Sequence, residues 1–266
     1  PATRGERWSW WSWDFGATAL NSVMISFVFS VYVTGTVAPD ATTGQQTWSD
    51  AQTLTGIVLA LVAPVMGAWA DRARSRRAML SVATVLMVVL IASGWFVRPH
   101  PDYLLLGVAL LAIAAIVQEI GGVFYNGMLL QISNDKNIGR VSAIGWGSGY
   151  LGGVLCLVIV LFGFVLNGGF LHLPSEELVN VRAVALFSAA FMAVFCFPIM
   201  IWGPNRHPAG QRQRFDVRAA YRDIGRRIAR MWRDERGLLH FMIASAVFRD
   251  GLTAVFSFGG VIAAAS

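Results

Sequence analysis

Long runs of apolar residues dominate the pattern of hydrophobic and polar positions along this chain. Residues 81–97, 103–118, 141–172 and 183–203 carry no charged side chain. An α-helix needs about 20 mainly apolar residues to cross about 30 Å of hydrocarbon, and the runs lack the two-residue alternation of a membrane β-barrel. Because only helices and closed barrels satisfy every backbone polar group in lipid, the pattern predicts an all-α membrane protein.

Seven segments have the length and composition of membrane-spanning helices. They are residues 13–37, 51–71, 77–97, 103–131, 141–166, 181–202 and 239–264. We therefore expect a six-helix transmembrane bundle in residues 1–202, a basic cytoplasmic linker in residues 203–238 and the first helix of a second bundle in residues 239–266. Because the chain begins with Pro1 and stops at Ser266 inside an apolar run, we expect it to be a fragment of a longer protein.

The connectors between these segments alternate in charge. Basic segments at residues 4–7, 72–77, 136–140 and 206–236 alternate with connectors whose only basic residues are Arg98 and Arg182. Cytoplasmic loops of membrane proteins carry the excess of lysine and arginine. Since the basic segments fall on one side only if the span count is correct, the pattern supports that count. It predicts a multi-pass membrane protein with a cytoplasmic N-terminus, in the cell membrane if the protein is bacterial.

The composition agrees with a membrane location. Charged residues make up 14% of the chain, whereas a soluble domain carries about 25%. The formal net charge of +6 follows from the basic cytoplasmic segments. A lipid bilayer is therefore the expected partner, and nucleic acid is not.

Aromatic and basic residues are expected to anchor two segments at the membrane surface. Four tryptophans crowd the start of the first span: Trp8, Trp10, Trp11 and Trp13. Tryptophan rings favour the level of the lipid headgroups.

In the linker, apolar residues recur three and four positions apart among arginines: Val217, Tyr221, Ile224, Ile228 and Met231. This spacing predicts a basic amphipathic helix on the cytoplasmic membrane surface.

Six spans, a long basic linker and a seventh span are the layout of the major facilitator superfamily, in which two six-helix bundles surround a central cavity. The connector after the second span resembles the superfamily signature Gly-x-Leu-Ala-Asp-Arg-x-Gly-Arg-Arg. The matching residues are Gly67, Ala70, Asp71, Arg72 and Arg76, and the departures are Trp69, Arg74 and Ser75. The resemblance implies a conformational latch to the second bundle at Gly67, Asp71, Arg72 and Arg76. The alternative is ordinary cytoplasmic positive charge.

Further motifs resemble the vacuole-effluxer-like branch, which includes autophagy-linked vacuolar amino-acid effluxers and bacterial relatives. The motifs are Trp13-Asp14-Phe15-Gly16 with Asn21-Ser22, Phe124-Tyr125-Asn126 through Leu130, Ser142 through Gly145, Gly149-Tyr150-Leu151-Gly152-Gly153, and Asp250-Gly251. The resemblance implies a major facilitator-type six-helix bundle plus the first helix of the second bundle. It also implies export or exchange of amino acids or similar small solutes.

Polar residues inside the spans are the candidates for a substrate or proton site, because such groups are costly in lipid and usually face a cavity or a partner. The candidates are Asp14, Asn21, Glu119, Tyr125, Asn126, Arg249 and Asp250. Asp14, Thr18 and Asn21 are spaced to share one helix face, as are Glu119 and Asn126. We hypothesise that Glu119 or Asp250 binds a coupling proton or the charged end of the substrate. The alternative is a permanent structural ion pair, either of Glu119 with Arg249 or of Asp14 with an arginine.

Gly145, Gly149 and Gly153 are four residues apart, which predicts close packing of their helix against another. The overlapping Gly-x-Gly-x-x-Gly pattern has no preceding strand and so does not predict a nucleotide site.

The sequence shows no constellation typical of an enzyme or a metal site. No histidine has metal-ligand spacing, and neither a nucleophile elbow nor a Walker loop occurs. We therefore expect no cofactor, no metal and no enzyme activity. The prediction is a secondary-active solute transporter working by alternating access; the alternative is a membrane scaffold or sensor that retains the fold.

Overall fold

The computed structural model describes residues 2–72, 75–166, 176–205 and 217–265, and this part of the chain contains helices and no strand. The α-helices are α1 (Arg4–Ala19), α2 (Phe29–Tyr32), α3 (Ala41–Arg72), α4 (Arg76–Ser93), α5 (Leu104–Ile132), α6 (Ile138–Val160), α7 (Val179–Trp202), α8 (Val217–Asp234) and α9 (Arg236–Ala265). Wider π-helical turns form Leu20–Phe27, Val33–Val37 and Leu161–Val165. Short 3₁₀ turns form Gly94–Phe96, Pro101–Tyr103 and Glu176–Leu178.

Five helical segments of the described residues are long and apolar enough to cross a membrane. They are Arg4–Val37, Arg76–Phe96, Pro101–Ile132, Ile138–Val165 and Val179–Trp202. The predicted second and seventh spans lie within α3 and α9, which are 32 and 30 residues long, but neither helix is among the five. The all-α prediction is therefore confirmed for the described residues, and five of their helices suit a membrane, whereas the count of seven spans stays a prediction.

The first span begins at Arg4, earlier than the predicted residue 13, because a capping box starts the helix there. The Glu6 amide donates to the Thr3 hydroxyl (3.2 Å), and the Thr3 amide donates to the Glu6 carboxylate (2.7 Å). Together these two bonds satisfy backbone donors that a helix start leaves without partners. Asp40 has a similar capping role before α3, where it accepts hydrogen bonds from the Thr43 hydroxyl and amide. These bonds hold the pKa of Asp40 below its ordinary value.

The first span is the most buried of the five. Its α1 portion packs against α6 and α7, while α4 packs against α5 and α7, and α3 packs against α5. The largest fully buried side chains come from several of these helices and include Trp10, Phe29, Met87, Phe124 and Met192. The core therefore lies around α1, and residues of α1 are the ones best placed to sense the packing of the whole bundle.

Trp10 and Trp13 do not face lipid as the expected surface anchors would, while their depth in the membrane stays a prediction. Their side chains are only 2% and 3% exposed. The reason is that α1 extends further than predicted, so that these rings insert between helices instead of lying at a helix start. Trp8 is 52% exposed and remains compatible with the original expectation.

Three contacts bring predicted basic segments to one end of the bundle. They join Arg7 Nε to the Ile132 carbonyl (3.0 Å), the Trp8 ring to the Trp202 ring (6.1 Å between centroids) and Arg77 Nη1 to the Ile201 carbonyl (3.0 Å). At another set of helix ends, the Tyr32 hydroxyl donates to the Val97 carbonyl (2.9 Å) and Arg182 Nε donates to the Trp95 carbonyl (2.9 Å). The chain start, the α3–α4 connector and the ends of α5 and α7 thus share one end. Which side of the membrane this end faces stays a prediction.

Helix α8 occupies the region of the predicted amphipathic linker helix. Its Tyr221, Ile228 and Trp232 side chains are exposed, and the Tyr221 hydroxyl donates to the Leu61 carbonyl of α3. The side chains of Val217 and Ile224 lie outside the described residues. A helix is therefore present where the spacing predicted one, while its docking on the membrane surface stays a prediction.

Candidate functional site

The α1–α6 contact is a row of side chains facing a row of glycines. A Cβ atom added to Gly145 would lie 2.4 Å from Trp10 Cζ3, and one added to Gly149 would lie 2.7 Å from Asp14 Oδ2. One added to Gly153 would lie 2.7 Å from the Ser22 Oγ. Residue numbers increase in the same direction along both rows, so the two helices run parallel. We call this contact, formed by Trp10, Asp14 and Ser22 with Gly145, Gly149 and Gly153, the packed wall.

Gly152 makes the closest approach at this contact, and the sequence reasoning did not single it out. A Cβ on Gly152 would lie 2.1 Å from the Phe15 carbonyl oxygen, a backbone atom that no rotamer change can move. The Gly152-Gly153 pair was the available signal, because adjacent glycines widen the strip of helix surface that can approach a neighbour.

The π-helical turns of Leu20–Phe27 separate two residues that the spacing had placed on one face. Wider turns rotate each residue less than an α-helix does. As a result Ser22, not Asn21, continues the row from Asp14 onto Gly153, and Asn21 is exposed. Such π segments have no reliable local sequence signal, so the α-helical spacing misassigned the face of Asn21.

The Tyr125 ring is sandwiched between two tryptophans of α1. Its centroid lies 4.3 Å from Trp10 and 4.5 Å from Trp13, and both pairs are stacked. Trp10 Nε1 donates to the Tyr125 carbonyl (3.0 Å), and Trp13 Nε1 donates to Thr84 Oγ1 (2.9 Å). Each aromatic pair contributes about 0.5–1.5 kcal/mol beyond its buried area. We call Trp10, Trp13 and Tyr125 the aromatic clasp; it fastens α1 to α5.

Two polar atoms of α5 are buried without a partner in the described part of the chain. They are the Tyr125 hydroxyl and Gln118 Oε1. Gln118 and Tyr125 are seven residues apart and therefore share a helix face. Such orphaned groups are uncommon in native interiors, so this face of α5 is a place where further chemistry is expected.

Asp14 lies beside the aromatic clasp, with its carboxylate against Gly149. Its side chain is half-buried and lies within electrostatic range of Tyr125 and Cys196. The Thr18 hydroxyl donates to the Asp14 backbone carbonyl (2.8 Å), not to the carboxylate. Asp14 takes part in neither the His100–Asp102 pair nor the Glu177–Arg182 pair. The carboxylate thus lies inside the bundle without a cation from this part of the chain.

Glu119 and Asn126 occupy the opposite environment. Both side chains are exposed, whereas their neighbour Tyr125 is buried and Gln118 is partly buried. The structure therefore divides the polar cluster predicted on α5 into a buried half and an exposed half. We call the exposed half, Glu119 and Asn126, the open face.

Arg249 and Asp250 are also exposed. They lie on α9, which packs against Leu20–Phe27 and against α2. The predicted pair therefore belongs to a helix that contacts the π-helical part of the first span, where Asn21 is located. The described contacts do not bring the pair together with Glu119.

The signature connector is only partly described. The side chains of Asp71 and Arg72 lie outside the described residues, and a Cβ on Gly67 would meet no described atom within 4 Å. Arg76, in contrast, donates from Nη1 to the Gly127 carbonyl (2.7 Å). This bond ties the start of α4 to α5 one residue beyond the open face, a connection that the sequence did not predict.

Comparison with known proteins shows the family to which the chain belongs. The family profile "Vacuole effluxer Atg22 like" matches residues 51–266. The chain is 22% identical over 258 residues to the "Uncharacterized MFS-type transporter YxiO" of Bacillus subtilis (strain 168), an alignment that covers 94% of this chain and 58% of that relative. No solved structure matches the chain. Because the profile covers well over half of the residues, the chain belongs to the vacuole effluxer Atg22-like family.

Proposed function

We propose that the full-length protein is a secondary-active transporter that moves a small solute by alternating access. The observation that carries this proposal is the open face: Glu119 and Asn126 are exposed on a long and mainly apolar membrane-spanning helix. A charged side chain facing hydrocarbon is costly, so it is expected to face a water-filled passage or a partner. The Bacillus relative, named an MFS-type transporter, supports the same conclusion.

Amino acids are the substrate class that the polar groups fit best. The open face offers a carboxylate and an amide on α5, and α9 offers a cation and a second carboxylate at Arg249 and Asp250. A zwitterion carries an ammonium group that pairs with a carboxylate and a carboxylate group that pairs with an arginine. Binding would then require α5 and α9 to approach each other across the passage.

Alternating access requires a part that changes its contacts when the two bundles rock. We infer that the connector between α3 and α4 is that part, with a cytoplasmic location and with Asp71 and Arg72 as the latch. The Arg76 bond to the Gly127 carbonyl (2.7 Å) supports this, because it links the connector to the helix that carries the open face. A ligand that binds one access state more tightly would then shift the latch as well.

The test is a flux assay on the full-length protein in proteoliposomes. A panel of labelled amino acids should reveal at least one with saturable uptake that heat-denatured protein and protein-free liposomes lack. Absence of saturable uptake across the whole panel would contradict the proposal. It would favour the rival function, a membrane scaffold or sensor that retains the fold and moves no solute.

A further inference from the structure

We propose that Asp14 is the proton-carrying group of this transporter and that Gly149 positions it. The inference rests on the proposed transport function and assigns the coupling proton to the packed wall instead of the open face. In the packed arrangement the carboxyl group is protonated and neutral. It releases the proton when α1 and α6 separate and water reaches it.

The location of Asp14 is the first support. Its carboxylate oxygen Oδ2 lies against the backbone of Gly149, where an added Cβ would lie 2.7 Å away and the carboxyl group would have to shift. Asp14 belongs to the most buried of the five spanning segments, yet its side chain is only half-buried. The group is thus held inside a helix–helix contact while part of it remains reachable.

The neighbours of Asp14 supply no positive charge. On α5 the titratable neighbour is Tyr125, and on α7 it is Cys196, whose thiol donates to the Trp13 carbonyl (3.4 Å). On α6 the facing residues are glycines. On α4 the polar group bonded to α1 is Thr84, whose hydroxyl accepts from Trp13 Nε1 and donates to the Leu80 carbonyl (2.8 Å). None of these described groups can neutralise a carboxylate.

An uncompensated carboxylate inside a helix bundle strongly favours its neutral form, because moving an isolated charge out of water is far more costly than moving a carboxylic acid. Protonation therefore favours the packed wall, and ionisation favours an arrangement in which water enters it.

Three other carboxylates of the described helices lie in different surroundings. Glu119 and Asp250 are exposed. Glu177 lies 3.6 Å from Arg182, which can balance its charge. The structure thus assigns proton binding to one carboxylate, Asp14, and leaves the exposed carboxylates to the solute.

The cycle that follows keeps its protons balanced. Asp14 takes one proton from water on one side of the membrane while the passage is open to that side. The proton travels with the closed packed wall and returns to water on the other side. Because the neutral and charged forms of Asp14 prefer different packing of α1 on α6, the proton gradient can bias the access states.

Infrared difference spectroscopy of the purified full-length protein tests the protonation directly and needs no substrate. A carboxylic acid C=O band that shifts in heavy water is expected at neutral pH, and it should disappear in Asp14→Asn but persist in Glu119→Gln. Gly149→Ala should shift the band by displacing the carboxyl group. Gly147→Ala, where a Cβ meets no described atom within 4 Å, should leave it unchanged. A band that survives in Asp14→Asn would overturn the inference.

Flux measurements in proteoliposomes test the coupling. The amino acid with the strongest saturable uptake should accumulate when a proton gradient is imposed, and counterflow without a gradient should depend on pH. In Asp14→Asn, accumulation should fall to the level seen without a gradient, and counterflow should lose its pH dependence. Gradient-driven accumulation that persists in Asp14→Asn would overturn the inference. If the wild type shows no counterflow with any amino acid, the proposed function fails instead, and the infrared band still decides whether Asp14 holds a proton.

Discussion

The packed wall and the open face carry polar residues from the same predicted site, yet they are built by opposite rules. In the packed wall, glycines bring α6 so close to α1 that Asp14 fills a gap between backbones. On the open face, the Glu119 and Asn126 side chains are exposed. A polar group held in packing responds to how the helices pack, whereas an exposed one is free to meet a solute.

This difference divides the work of a coupled transporter between two regions. The packed wall lies between the first span and α6, with the aromatic clasp to α5 beside it, and this packed region is expected to control stability and proton coupling. The open face lies on α5 alone, and it is expected to control solute affinity with little effect on stability. Substitutions can therefore break or sharpen the distinction, since each region predicts a different measurement to change.

Gly152→Ala should produce the largest effect, and it acts on the packed region. The new Cβ would lie 2.1 Å from the Phe15 carbonyl oxygen, so α1 and α6 must separate. The expected loss of stability is about 3 kcal/mol, the upper part of the usual range for overpacking. It would be measured as a lower midpoint of thermal or denaturant unfolding in detergent.

Gly147→Ala is the matched control for that substitution, because it lies on the same helix and its Cβ would meet open space. Replacing an exposed helix-interior glycine by alanine should leave stability unchanged or raise it by up to about 1 kcal/mol. Equal unfolding midpoints for the two variants would show that the close contact between α1 and α6 does not exist.

Glu119→Gln should change solute affinity and not the unfolding midpoint. Hydrogen bonds to charged groups contribute about 1.5–3 kcal/mol, so losing one should weaken binding of the transported amino acid by about tenfold or more. Asp250→Asn should behave in the same way. Equilibrium binding and unfolding of the same preparations would be measured together.

The exposed connector residue Asp102 provides the control for these substitutions. Asp102→Asn removes the same single negative charge, but at a position outside the predicted passage, so the affinity for the transported amino acid should not change. Wild-type transport in both Glu119→Gln and Asp250→Asn would remove the open face as a solute site. A large loss of stability in Glu119→Gln would instead show that this residue belongs with the packed region.

The sequence predicted helix positions well because the length needed to cross the hydrocarbon and the hydrogen bonds within a helix both depend on residues that are close in sequence. It also predicted the four-residue glycine spacing of α6, but it could not tell which helix would meet Gly149, since contacts between distant helices leave no local pattern. The burial of Trp10 and Trp13 was not predicted for the same reason: it depends on Gly145 and Tyr125, residues far away in the sequence. Asn21 was misassigned because π-helical turns alter the rotation per residue.

Trp13→Phe should have a smaller effect within the packed region. Phenylalanine can keep the stacking on Tyr125, but it loses the bond from Trp13 Nε1 to Thr84 Oγ1 (2.9 Å). The expected loss of stability is about 1 kcal/mol, the typical contribution of one intramolecular hydrogen bond. Trp8→Phe, at a position that is 52% exposed, should leave the unfolding midpoint unchanged. Equal losses in both variants would contradict the importance of the Thr84 bond.

Tyr125→Phe should have the smallest effect on stability, and its sign is informative. The variant keeps both stacked tryptophans and removes a buried hydroxyl that has no partner among the described residues. Because an unsatisfied buried polar group costs about 1–3 kcal/mol, the unfolding midpoint should stay the same or rise. A clear fall would mean that the hydroxyl is paired in the working protein. Asp14 would then be the partner to test, by asking whether the fall disappears in the background of Asp14→Asn. That result would give Tyr125 a role in proton transfer as well as in the packing of the aromatic clasp. It would thereby link stability and proton coupling, the two properties that the packed region is proposed to control.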